Sequence, residues 1–136
     1  MKKHIIYLVL AMLIAASSFG VVFAAQDSTV DPKGVTDTVS FTRNSSTSAT
    51  VRVTHHPAGY ATSMDATFTL QEASFNSITW TNSPVPKQYA SKENSTYMQA
   101  SKTFEVTNQK QYRVKITFTD VVNGVTMSNT IYSPTI

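Results

Sequence analysis

The stretch "KQYRVKITFTD", residues 110–120, puts Tyr112, Val114, Ile116 and Phe118 at every second position, with Arg113, Lys115, Thr117 and Thr119 between them. A period of two belongs to a strand with one face in a core and the other in water, because successive side chains point to opposite sides. Immediately after it, Asn123-Gly124 stands between this run and a second alternating run, "VTMSNTIYS". Asn-Gly in that position predicts a two-residue hairpin. The turn sets a register in which Val122 faces Val125 and Ile116 faces Ile131. Asn129 then falls opposite Phe118, one polar residue on an otherwise apolar face. Arg113 and Lys115 fall on the outer face, where they serve solubility.

The same alternation recurs upstream. Val39 and Phe41 mark "DTVSFTR", Val51 and Val53 mark "SATVRVTH", and Met64, Ala66, Phe68 and Leu70 mark "SMDATFTLQ". "FNSITW" places Ile78 and Trp80 on one face, and "KTFEV" does the same for Phe104 and Val106. Threonine is abundant, and β-branched residues suit a pleated, half-buried surface. No helical period appears. Turn chemistry such as "HHPAG" and "EAS" separates the runs. About seven strands over residues 37–136 predict an all-β chain folded as an antiparallel β-sandwich. Burying four side chains such as those of Tyr112 to Phe118 contributes roughly 1.5–3 kcal/mol each before entropy is subtracted.

The amino-terminal end sets the compartment. Lys2 and Lys3 precede an apolar run over residues 5–16, and Val22-Phe23-Ala24 offers residues suited to cleavage. This is the pattern of a secretory signal peptide, residues 1–25. Ser17, Ser18 and Gly20 leave the run short of the ~20 apolar residues that a membrane span needs. Residues 26–36 are polar, contain Pro32 and Gly34, and are expected to form a flexible leader. The expected product is a secreted, extracellular domain with no membrane span after cleavage. The chain has no cysteine, so the core has to hold without disulfides. Its formal charge of +3 falls to +1 once Lys2 and Lys3 leave with the signal. The remaining cations are dispersed, and no nucleic-acid surface is implied.

The span from "ATFTLQEASFNSITW" to "KTFEVTNQKQYRVKITFTDVVNGVTMSNTIYS" resembles small secreted proteins of Gram-positive bacteria. In these a signal peptide precedes one domain of unknown function. The matching residues are Leu70-Gln71, Trp80, Tyr112-Arg113-Val114-Lys115 and the Ser-rich run from Ser128 to Ser133. A second resemblance is to fibronectin type III and immunoglobulin-like sandwiches, carried by Trp80 and by Tyr112 with Val114. It implies that Tyr112 forms a tyrosine corner, its hydroxyl bonding to backbone upstream.

Residues suited to catalysis are scarce. Beyond the signal the only histidines are His55 and His56, and no G-x-S-x-G elbow is present. Adjacent residues of a strand face opposite ways, so the two rings do not converge on one metal ion, and both read as turn-flanking residues. The carboxylates form no calcium-loop cluster. No catalytic residue, cofactor or metal site is expected, and the chain reads as a non-enzyme. Two aromatic settings remain. Trp80 reads as a core residue through Ile78, with a surface platform for a sugar ring as the rival. Residues 81–97, "TNSPVPKQYASKENSTY", read as a long irregular connection that exposes Tyr89 and Tyr97. Trp80, Tyr89 and Tyr97 are therefore the candidate binding residues. The expected function is a secreted, non-catalytic interaction module for a cell-surface glycan or protein. The alternatives are a bacteriocin-like effector and a self-assembling matrix protein.

Overall fold

The computed structural model describes residues 37–136. The expected signal peptide (1–25) and leader (26–36) lie outside the described residues. Among the described residues eight strands follow one another: β1 (Thr38–Arg43), β2 (Ser48–His55), β3 (Ala61–Ala73), β4 (Thr81–Asn82), β5 (Gln88–Ser95), β6 (Met98–Glu105), β7 (Gln111–Val122) and β8 (Val125–Tyr132). They form two antiparallel sheets. One has the order β1-β2-β6, and the other β4-β3-β7-β8, with β5 also paired to β3. The domain is a β-sandwich, as the alternation predicted.

β4 and β5 share one edge of β3. Thr81 and Asn82 pair with Glu72 and Gln71, and Gln88 to Ser95 pair with Phe68 back to Ala61. Pro84 and Pro86 lie in the gap between them, where neither has to donate to a ladder. The larger sheet is thus four strands wide.

The inner faces supply one core. Val51 and Phe104 of the smaller sheet meet Met64, Phe68, Leu70, Val114, Ile116 and Phe118 of the larger, all buried. Every inward position read from residues 110–120 is buried, and Tyr112 is included. The hairpin register also holds. Val122 pairs with Val125, Ile116 with Ile131 and Phe118 with Asn129, with no register shift. Asn123 and Gly124 both take positive φ, 52° and 75°, as the favoured two-residue turn requires. Asn129 needs no bulge to be tolerated. β8 is the outermost strand, and its inner side is only half covered at that position.

Two segments differ from expectation. Residues 75–80 do not form a strand. Asn76 adopts φ 63°, Ser77 N–H bonds back to Ser74 O at 3.0 Å, and the resulting turn leaves Ile78 94% exposed. Trp80 therefore has no apolar neighbour to carry it into the core, and the core assignment through Ile78 is corrected. Residues 81–97 are not an irregular connection either, since they hold β4 and β5. β5, "QYASKENS", has no fully buried residue. A polar edge strand leaves no apolar alternation in the sequence.

Candidate functional site

The outer face of the larger sheet carries the main cluster. Gln71 of β3 pairs with Arg113 of β7, and Lys115 pairs with Tyr132 of β8. These registers set the Arg113 guanidinium between two rings. It lies 4.5 Å from the Trp80 ring centre and 4.4 Å from that of Tyr132. Its Nε donates to Gln71 Oε1 at 2.9 Å, and Gln71 Nε2 donates to Asn82 Oδ1 at 3.2 Å. Trp80, Asn82, Gln71, Arg113 and Tyr132 thus form a row of planar groups across the sheet. Trp80, Arg113 and Tyr132 are half-buried and keep part of their surface in solvent. Tyr89 lies on the same face, opposite Thr67 and 63% exposed. Thr67 and Gln71 are four residues apart on β3, so Tyr89 sits about 13 Å along the sheet from the Gln71 position.

Tyr97 is elsewhere. It occupies the β5–β6 connection, packs over Lys92 Nζ at 3.9 Å and tilts toward His56 at 6.4 Å. The three candidate binding residues are therefore divided: Trp80 and Tyr89 share a face, and Tyr97 lies toward the opposite end of the sandwich. Arg113 and Tyr132, which complete the cluster, were not among the candidate binding residues. The hairpin register that pairs Ile116 with Ile131 implies Tyr132 opposite Lys115, and so next to Arg113 on the outer side.

That opposite end holds a second cluster. His55 ends β2, is 3% exposed and stacks on Phe118 with ring centres 3.8 Å apart and planes 5° apart. Its Nδ1 lies 2.7 Å from Asp37 Oδ2, and its Nε2 lies 2.8 Å from Asp120 Oδ2. The other oxygen of Asp37 accepts the His56 backbone N–H at 2.8 Å. The second oxygen of Asp120 is buried and has no hydrogen-bond partner among the described residues. Burial alone would lower the His55 pKa, but hydrogen bonds to Asp120 and Asp37, with the two negative charges, overcome it and raise the value to about 9. At neutral pH both ring nitrogens donate, so His55 is an imidazolium with no lone pair to offer a metal or a substrate proton. His55 flanks the turn after β2, as expected, and its ring is also part of the core, where it joins both sheets.

A third feature is an open groove of about 580 Å³ near the amino end of β7. Ser83, Pro84 and Val85 form one wall, and Val106, Thr107 and Lys110 contribute to the other. Lys110 Nζ meets Glu72 Oε1 at 2.6 Å, and that bond raises the lysine pKa. The Tyr112 hydroxyl, beside the groove, accepts the Thr107 N–H at 3.2 Å and lies 3.1 Å from Thr107 Oγ1. The upstream backbone contact anticipated for Tyr112 is made. Comparison with known protein families, curated proteins and solved structures finds no match for this chain.

Proposed function

We propose that this chain is a secreted, non-catalytic binding module that recognises an anionic extracellular glycan through the outer face of its larger sheet. The observation that carries the proposal is the Arg113 guanidinium held between the half-exposed Trp80 and Tyr132 rings. Aromatic rings present flat apolar area at low side-chain entropy, which suits the apolar face of a sugar ring. The Gln71 and Asn82 amides and the remaining guanidinium N–H groups are planar hydrogen-bonding partners suited to hydroxyls and carboxylates. Arg113 and Lys115 give this part of the face a positive sign, and neither is paired with a carboxylate among the described residues. A rigid strand scaffold lowers the ordering cost of such a surface.

The overall type we propose is immunoglobulin-like, close to fibronectin type III. Two features support it: the division into a three-stranded sheet, β1-β2-β6, and a five-stranded sheet that is four strands wide, and the Tyr112 hydroxyl bonded to Thr107 backbone. The proposed relationship to small secreted Gram-positive proteins rests on the short motifs around Leu70-Gln71, Trp80 and residues 112–115.

The test is an array of neutral and anionic glycans probed with the wild-type protein and with Trp80→Ala, Arg113→Ala and Tyr97→Ala. The expected result is retention on anionic glycans that Trp80→Ala and Arg113→Ala abolish and Tyr97→Ala leaves intact. Retention unaffected by the first two substitutions, or no retention by the wild type, would overturn the proposal.

A further inference from the structure

We propose that β8 is a self-recognition edge, at which two copies of this chain pair antiparallel about a two-fold axis through Asn129. This edge is formed by backbone groups and does not rest on the glycan reading, although Tyr132 belongs to both surfaces. A sheet edge presents unpaired backbone groups, and proteins blunt such edges with charge, proline or bulges. The other edges of this sandwich follow that rule. β1 ends on Arg43, β5 carries Lys92 and Glu93, and β6 carries Lys102 and Glu105. β8, "VTMSNTIY", has eight residues with no charge and no proline, and it pairs with β7 without a register shift.

The ladder identifies which groups face outward. Ser133 N–H bonds to Val114 O at 2.9 Å, so Val114 and Ser133 are a hydrogen-bonded pair. Such pairs alternate along an antiparallel ladder. Odd-numbered residues of β8 therefore bond to β7, and Thr126, Ser128, Thr130 and Tyr132 direct their N–H and C=O groups away from it. Pairing two β8 strands about Asn129 sets Thr126 opposite Tyr132 of the second copy and Ser128 opposite Thr130. Each outward group then meets a partner. On the inner side, the same register places Met127 against Ile131 of the second copy. No like charges meet.

Side-chain burial points the same way. Val125 faces the inner side yet is 59% exposed, and Met127 is only partly buried. The smaller sheet does not cover this margin of β8, and the same margin of a second copy would. The pairing also joins the two larger sheets into one, with a Trp80–Arg113–Tyr132 stack on each side of the axis.

The experiment is sedimentation of protein expressed from the full-length chain over a wide concentration range, with hydrogen exchange read at single amides. The wild type is expected to show a reversible monomer–dimer equilibrium, with slower exchange at Thr126, Ser128 and Thr130 as concentration rises. Thr130→Pro removes an outward donor, and Thr126→Lys adds charge to the edge. Each should weaken the dimer at least about tenfold. Thr126 is exposed and at the strand end, so its variant decides the matter if Thr130→Pro fails to fold. A wild type that stays monomeric at the highest attainable concentration would overturn the proposal. So would a dimer equally tight in the folded variants, or one with unchanged exchange along β8.

Discussion

His55 and Arg113 are both cations held between two flat partners, one inside the sandwich and one on its surface. His55 sits between the carboxylates of Asp37 and Asp120 with almost no solvent contact. Arg113 sits between the rings of Trp80 and Tyr132 on a face that solvent reaches. The difference lies in what removal of a partner leaves behind. Inside, it leaves an uncompensated buried charge, which costs several kcal/mol. Outside, water replaces the lost partner, and the contact contributes about 0.5–1 kcal/mol. The buried cation therefore belongs to stability and the exposed one to recognition.

The largest expected effect comes from His55→Ala. It leaves Asp37 and Asp120 buried without their shared cation, and a loss of about 3–5 kcal/mol is expected in urea unfolding. A change below about 1 kcal/mol would mean that the two carboxylates find other partners, and the contrast with Arg113 would collapse.

The next effect is a pH dependence that only the buried cation should show. The folded pKa of His55, about 9, is raised above its unfolded value. The native state therefore holds the proton more tightly. The stabilisation is fully present below about pH 6.5 and is lost as pH rises toward 9. The loss is expected to reach about 2 kcal/mol after allowance for solvent screening. Urea midpoints measured from pH 6 to pH 9.5 check this. A His55→Gln variant should lose the slope, and a variant with the same slope would place its source in another group.

Arg113→Ala should lower stability by less than about 1 kcal/mol while removing glycan retention. Thermal melts paired with retention measurements separate the two effects. A large loss of stability would make the Trp80–Arg113–Tyr132 stack structural. The smallest effect is expected from Tyr97→Ala, with neither stability nor retention changing appreciably. Loss of retention in that variant would move the binding surface to the opposite end of the sandwich.

Both clusters had partial signatures in the sequence. Asp37, His55 and Asp120 each occupy an inward position of their strand's alternation: before Val39 and Phe41, after Val51 and Val53, and between Phe118 and Val122. A lone polar residue in such a position reads as the strand running out of the core. Three at one end of one sandwich require each other, but that juxtaposition follows only from the strand order. The β1–β2 register brings position 37 opposite 55, and β7 then crosses beneath. Alternation placed Arg113 on the outer face, and the hairpin register that pairs Ile116 with Ile131 implies the same for Tyr132 opposite Lys115. Trp80 was not placed there, because its position depends on the turn at Asn76, which overrides the apparent pairing of Ile78 with Trp80.

The sequence by itself determined the strand class, the inward faces of β2, β3 and β7, and the register of the last hairpin. These depend on local rules: a period of two, β-branched content, and a turn that only Asn-Gly geometry closes readily. Tertiary structure alone decided that polar β5 is a strand, since its place is set by the edge of β3 and not by any apolar face of its own. It also decided which cation is buried and which is exposed. Charge and residue type are properties of the chain, but desolvation is a property of what the other sheet covers.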